Sequence, residues 1–167
     1  MAHPACMSVP PDILSSFAAA MNRATPQAEA LGMETLEIGD AVAVLRIPYK
    51  AEMVGDPETG VIAGGVVTTL LDHACGQAVM AALGQATSIA TLDLRIDYMR
   101  AAAPHQPLFA RAHCYKLGRS VAFVRASAYE HEVDDPVATA QAAFMLNASA
   151  GREFGANLKP RPAKPVA

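Results

Sequence analysis

One α+β domain, a long helix laid on an antiparallel sheet, is the fold class that the sequence predicts. Three observations carry that expectation. The chain has 167 residues, one domain's worth, and a chain of this size buries roughly 70% of its unfolded surface. A nearly unbroken apolar segment of small residues runs from about Gly64 to Leu83, the pattern of a helix surrounded by protein. Four strand-like runs follow it, joined by short connections, and successive hairpins make an antiparallel sheet.

The elements read in order as follows. Pro11 to Arg23 supports a short helix, with Ile13, Leu14, Phe17 and Met21 at helical spacing. Met33–Ile38 and Ala41–Ile47 are two strands around a two-residue Gly39-Asp40 loop. Residues 48–62 contain Pro57 and two glycines and read as a long loop, a feature that in compact domains is often functional. After the central helix come Ser88–Arg100, Pro107–Leu117, Ser120–Glu130 and Pro136–Asn147. The first of these alternates, with Leu92, Leu94, Ile96 and Tyr98 on one face and Thr91, Asp93, Arg95 and Asp97 on the other. Gly118-Arg119 joins the next pair of strands. The domain is expected over 11–147, with flexible ends at 1–10 and 148–167, where Pro-spaced basic residues close the chain.

Composition excludes several classes. A formal charge of -3, from 13 Lys+Arg against 16 Asp+Glu, leaves no basic surplus for a phosphate backbone, so nucleic acid is not the expected partner. Apolar residues make up 52% and charged residues 17%, which argues against disorder. The apolar stretches are interrupted before the ~20 residues of a bilayer span, and the start shows no cationic region followed by an apolar run. Neither a membrane nor secretion is therefore expected. Cys6, Cys75 and Cys114 form no metal or redox spacing, so they read as reduced thiols in the cytoplasm. The five histidines are equally scattered, and no metal or cofactor is expected.

The chemistry points to the middle of the long helix, where Asp72 and His73 interrupt apolar sequence. A carboxylate there loses water and needs compensation. Gly76 costs on the order of 1 kcal/mol relative to Ala inside a helix, and one reason to accept that is space for a ligand beside Asp72. His73 lies roughly 100° round the helix from Asp72, so the two make no ready dyad. Gly64-Gly65 opens the helix, and its free N–H groups suit an oxygen gaining negative charge. Gly64 and Asp72 stand about 12 Å apart along the axis. They can meet at one carbonyl only if two copies place one helix tip opposite the other's acid.

These residues resemble the hotdog-fold acyl-CoA thioesterases, in the branch related to phenylacetate-pathway and 4-hydroxybenzoyl-CoA thioesterases. Gly60-Val61-Ile62-Ala63-Gly64-Gly65 through Leu70-Leu71-Asp72-His73-Ala74 is similar to that family's G-x-x-H-G-G followed by L-x-D-x-A. Thr91 to Arg100 is similar to the strand after the family's helix, and Leu117-Gly118-Arg119-Ser120 to its G-[RK]-[ST] hairpin. The resemblance implies a helix wrapped by an antiparallel sheet, a homodimer and often a dimer of dimers. It implies Asp72 as general base or nucleophile, the Gly64 N–H as the group polarising the thioester carbonyl, and Thr91 as a positioner of water. Gly65 and the Gly118, Arg119 and Ser120 hairpin fall where substrate is held, the hairpin near the nucleotide end of CoA. In two places the chain departs from the family: Ala63 stands where the family has His, and Pro57 where it has Asn or Gln.

The expected function is hydrolysis of an acyl-CoA, or acyl-carrier-protein, thioester, with CoA entering only as part of the substrate. The alternative, prompted by Ala63 and Pro57, is a non-catalytic module that binds acyl-CoA. A hydratase is a weaker fit, because it wants a His and an acid in one site and His73 directly follows Asp72.

Overall fold

The computed structural model describes residues 11–85 and 87–146. The two ends expected to be flexible, 1–10 and 148–167, lie outside the described residues.

Two helices come first, α1 (Pro11–Ala24) and the short α2 (Pro26–Leu31). Thr25 between them is extended because it precedes a proline, and α2 stops at Gly32, whose φ of +68° only glycine adopts freely. Strands β1 (Glu34–Gly39) and β2 (Val42–Ile47) then form a hairpin. Its loop is Asp40-Ala41, with φ of +47° and +62°, rather than Gly39-Asp40. Gly39 pairs with Val42 inside the ladder, and two positive-φ residues give the turn whose twist matches the strands. The expected long loop contains structure of its own. A 3₁₀ turn at Ala51–Met53 leads into a ribbon of β3 (Val54–Asp56) and β4 (Val61–Ile62).

The central helix α3 (Gly64–Leu83) has the bounds expected and ends at Gly84. It is followed by β5 (Ile89–Tyr98), β6 (Leu108–Leu117), β7 (Val121–Tyr129) and β8 (Ala138–Leu146). The β6–β7 turn has Arg119-Ser120 at its tip, since Leu117 pairs with Ala122 and the Gly118 N–H bonds the Val121 carbonyl at 2.9 Å. The main sheet runs β1-β2-β6-β7-β8-β5, antiparallel throughout, with β1 and β5 at its edges.

Helix α3 is apolar and long enough to cross a membrane by length and composition, but 56% of its apolar window is buried inside the protein. The sheet is what covers it. Its inner face is built largely from small residues, among them Ala43, Ala110, Ala112, Ala126 and Ala140, so the helix approaches the strands closely and at interior density. Three strands of the main sheet each carry one inserted residue, at Leu36 in β1, Leu92 in β5 and Tyr115 in β6. Such bulges increase local twist, and here they curl the sheet around α3. All three inserted side chains are exposed.

One buried carboxylate ties the strand ends together. Glu130, at the end of β7, accepts two hydrogen bonds from Arg100 (2.6 and 3.1 Å) and one from the Ala103 N–H (2.6 Å). Burial alone would push its carboxyl up; the Arg100 guanidinium and the Ala103 N–H outweigh that and hold it below the usual range.

Two stability predictions follow from this packing. Glu130→Gln should lower unfolding free energy by about 2 kcal/mol at pH 7. Because the folded carboxyl binds its proton more weakly than the unfolded one, that contribution is present above about pH 4.3 and lost as pH falls through the folded value. Urea titrations at pH 7 and pH 3 test this; a gap equally large at pH 3 refutes it. At Gly76 an added methyl would meet only Ile89 and Phe144, at 3.7 and 3.8 Å, which is ordinary contact. Gly76→Ala should therefore stabilise the protein by roughly 0.5–1 kcal/mol, and a destabilised variant would show that the site cannot take a methyl.

Candidate active site

The inserted Leu92 decides where Thr91 points. In an unbroken strand Thr91 would share a face with Asp93, Arg95 and Asp97, as the alternation suggested. The ladder instead pairs Thr91 with Phe144 and Leu94 with Ala142, skipping Leu92. Phe144 and Ala142 are buried against the core, so Thr91 joins Leu94, Ile96 and Tyr98 on the helix side. From there its hydroxyl donates to Asp72 Oδ1 at 2.9 Å.

Asp72 is half-buried on the flank of α3 that faces the edge strand β5. Thr91 engages one of its oxygens, and among the described residues no cation lies within ion-pair distance of it. Its carboxylate is thus oriented without being neutralised. The expected ligand space over Gly76 is absent, because Ile89 and Phe144 border it.

His73 points to the other flank. It donates from Nε2 to Asn22 Oδ1 at 2.8 Å, an oxygen that also accepts from Gln77 Nε2 at 2.9 Å. Asn22 Nδ2 donates to Thr35 Oγ1 at 2.9 Å, and Thr35 donates on to Gln77 Oε1 at 2.8 Å. This closed ring pins α1 and β1 to α3 and satisfies the fully buried Gln77. It gives His73 a structural place apart from Asp72. A cavity of about 430 Å³ beside the ring is lined by Ala19, Asn22, Met33 and Thr35 among others and does not include Asp72. Burial pushes the His73 imidazole pKa down, and the nearby Asp72 charge offsets that only in part. Cys75, one turn from Asp72, is buried, and its thiol is pushed up to about 12, chiefly by burial. No thiolate nucleophile is available there.

The helix tip lies apart from the acid within one chain. Ala63 is the N-cap and supplies no side-chain cap; its N–H donates to the Met53 carbonyl at 2.8 Å. A methyl on Gly55 would collide with the Ala63 backbone at 2.8 Å, so glycine at 55 lets the β3–β4 ribbon lie directly against the helix start. Pro57 sits in the exposed ribbon turn. Beside it Asp56 accepts from Thr59 Oγ1 (2.6 Å) and the Glu58 N–H (3.1 Å), which hold its carboxyl below the usual range. That side chain is occupied by its own turn. Gly64 and Gly65 are exposed, and around Gly65 the space where a side chain would begin is open.

The Gly118, Arg119 and Ser120 hairpin lies at the end of the sheet where β5 begins, since the Leu146 N–H donates to the Ser120 carbonyl and Leu146 pairs with Ile89. It is separated from Thr91 by strand β8 and does not touch Asp72 among the hydrogen bonds described. The structure therefore brings Asp72 and Thr91 together and leaves Gly64, Gly65 and the hairpin at separate places in one protomer. It adds two residues that the sequence reading had passed over. Tyr98 Oη donates to the Gly64 carbonyl at 2.8 Å and lies 3.0 Å from Thr68 Oγ1, which itself donates to the Gly64 carbonyl at 3.1 Å. The alternation in β5 did place Tyr98 on the helix face; only the hydroxyl's reach was invisible.

Residues 59–135 match the thioesterase superfamily. A protein of known structure from Pseudomonas aeruginosa is 36% identical, with 79% of this chain and 98% of that one covered and a TM-score of 0.73. A variant of the phenylacetic acid degradation protein PaaI from Thermus thermophilus is 26% identical, with 72% and 98% covered and a TM-score of 0.63. A Halobacterium salinarum protein, provisionally named an esterase, is 36% identical over 94 residues, 54% of this chain and 61% of that protein. The chain thus spans less than two thirds of that curated relative's length.

The histidine gives a prediction that needs no substrate. Unfolded, residue 73 takes up a proton near pH 6.5, while the folded site resists it. Stability should be full above that pH and fall as pH drops below it. His73→Gln should flatten the stability slope between pH 7.5 and pH 5.5, measured by urea unfolding; an unaltered slope removes His73 from the account.

Proposed function

The chain belongs to the thioesterase superfamily and has its hotdog fold, and we propose that it hydrolyses an acyl-CoA thioester with Asp72 as the base. The Thr91–Asp72 hydrogen bond, on the open flank of an otherwise apolar helix, carries the proposal. It fixes one carboxylate oxygen and leaves the other to take a proton from water. The water oxygen then attacks the thioester carbonyl carbon, the carbonyl oxygen gains negative charge, and the carbon–sulfur bond breaks as the carbonyl re-forms. The proton held by Asp72 passes to the departing thiolate, giving a carboxylic acid and free CoA. No cofactor enters.

The developing oxyanion needs donors, and the Gly64 and Gly65 amides supply them without a side chain in the way. They lie too far along the helix to serve the Asp72 of their own chain, so a second copy completes the site. Strand β5 favours this: it is a ten-residue edge strand next to Asp72, with exposed Leu92 and Tyr98 along it and Met99 just beyond. Exposed Arg119 at the hairpin tip suits the nucleotide end of CoA, with Gly118 and Ser120 shaping the turn; an acyl carrier protein would present the same thioester with other contacts. A cytoplasmic homodimer, or a dimer of dimers, is the assembly this reading requires.

The competing reading, a module that binds acyl-CoA without cleaving it, is favoured by Ala63, whose methyl is turned against Gly55 and offers no polar group to the substrate. The two readings separate in one experiment. Thiol release from a panel of CoA esters should be measurable for the native chain. It should fall about 10²–10⁴-fold in Asp72→Asn and about tenfold in Thr91→Val, with fold and dimer retained. Turnover unchanged in Asp72→Asn disposes of the mechanism; calorimetric binding of a CoA ester with no thiol release establishes the module instead.

A further inference from the structure

The start of α3 is poorly held by its own sequence. Its N-cap, Ala63, has no side-chain oxygen to satisfy the first N–H groups, and its first two residues are glycines, which contribute the least intrinsic restraint. Further restraint comes from hydrogen bonds to its first carbonyls. The Ala63 carbonyl is held by the Val66 N–H at 2.9 Å. The Gly64 carbonyl, already an acceptor in the helix ladder, is further held by the hydroxyls of Tyr98 and Thr68, at 2.8 and 3.1 Å.

That second contact has a consequence set by the peptide bond itself. The Gly64 carbonyl and the Gly65 N–H belong to one planar trans unit and point in opposite directions. Fixing the carbonyl toward the body of the helix fixes the N–H outward, past the helix tip, and no atom lies within 4 Å of where a side chain on Gly65 would begin. Accepting hydrogen bonds at the oxygen also polarises the unit and strengthens its N–H as a donor. Gly64 permits the arrangement, because a side chain there would meet Tyr98 Oη at 3.2 Å.

We infer that Tyr98 is a positioning residue that pins the Gly64–Gly65 peptide plane and aims the Gly65 N–H at the substrate oxygen. Tyr98 stands on the last position of β5, so the strand that orients Asp72 through Thr91 at one end orients the amide tip at the other. The inference rests on the thioester-hydrolysis reading for its catalytic meaning, but the pinning itself does not.

Tyr98→Phe keeps the ring and removes the hydroxyl. With a CoA ester that the native chain hydrolyses, kcat should fall about tenfold while KM stays within about twofold, as for a group acting in the transition state. The order parameter of the Gly65 N–H, from ¹⁵N relaxation of the full chain, should fall from about 0.85 to about 0.6, with Tm and dimer unchanged. Thr68→Val should shift both readouts the same way by less. An unchanged Gly65 order parameter overturns the pinning, and a lowered one with unchanged kcat overturns its role in catalysis. If the native chain cleaves no ester, the proposed function fails on its own, and the relaxation measurement still decides whether Tyr98 holds the amide.

Discussion

Helix α3 offers almost no polar face to water, and the need to cover it on nearly every side shapes everything around it. A flat sheet would cover one face. The observed sheet curls, and it does so through single inserted residues in β1, β5 and β6. Its inner wall is lined with alanine where the helix passes closest. Close approach and curvature are two answers to the same demand: small side chains bring the surfaces together, and bulges bend one around the other.

The same bulges solve a second problem that burial creates. Three polar side chains of α3, Asp72, His73 and Gln77, cannot be left without partners in such surroundings. In β1 the insertion at Leu36 leaves Thr35 paired with buried Leu45 and within reach of Gln77. In β5 the insertion at Leu92 does the same for Thr91 and Asp72. The outcomes differ because the two edges differ. On the β1 side α1 closes over the helix, and the polar groups satisfy one another in a ring. On the β5 side no element among the described residues closes over it, so Asp72 keeps an oxygen free of any partner among them. A satisfied network holds structure together; a carboxylate oriented but not neutralised is available for chemistry.

Much of this was legible in residue order. Gly64 and Leu83 mark α3 because small apolar residues run almost unbroken between them, and the antiparallel sheet follows from short connections between the last four strands. The resemblance implies separate roles for Asp72, as base or nucleophile, and Thr91, as a positioner of water, without implying the hydrogen bond between them. What escaped were features set by one residue in the register. Thr91 was placed on the outer face because alternation alone cannot reveal a bulge: Leu92 has the apolar character of a buried position and yet is the residue left out of the ladder. The Asp40-Ala41 loop was read one position early for a related reason, since Gly39 is the expected turn residue but the chain turns through two non-glycine residues with positive φ. The β3–β4 ribbon is too short to show periodicity at all, and helix α2 has only six residues to announce itself. Gly76 invited a functional explanation that its neighbours Ile89 and Phe144 remove.

The placement of the amide tip and the acid at two ends of one strand's reach explains why the site would need two chains. Thr91 and Tyr98 lie seven residues apart in β5, a span of about 20 Å after allowing for the bulge, and each contacts α3 at a different level. A rigid helix keeps Gly64 and Asp72 at a fixed separation that no side-chain movement closes. In the proposed homodimer a two-fold axis across the open edge of β5 turns that separation into an advantage, because each acid then faces the other chain's amides and the assembly carries two equivalent sites. The proposed donor, the proposed base and the residues that aim them all sit on β5 and α3, so the precision of the proposed chemistry depends on how those two elements are held within each chain and on how closely the two copies meet.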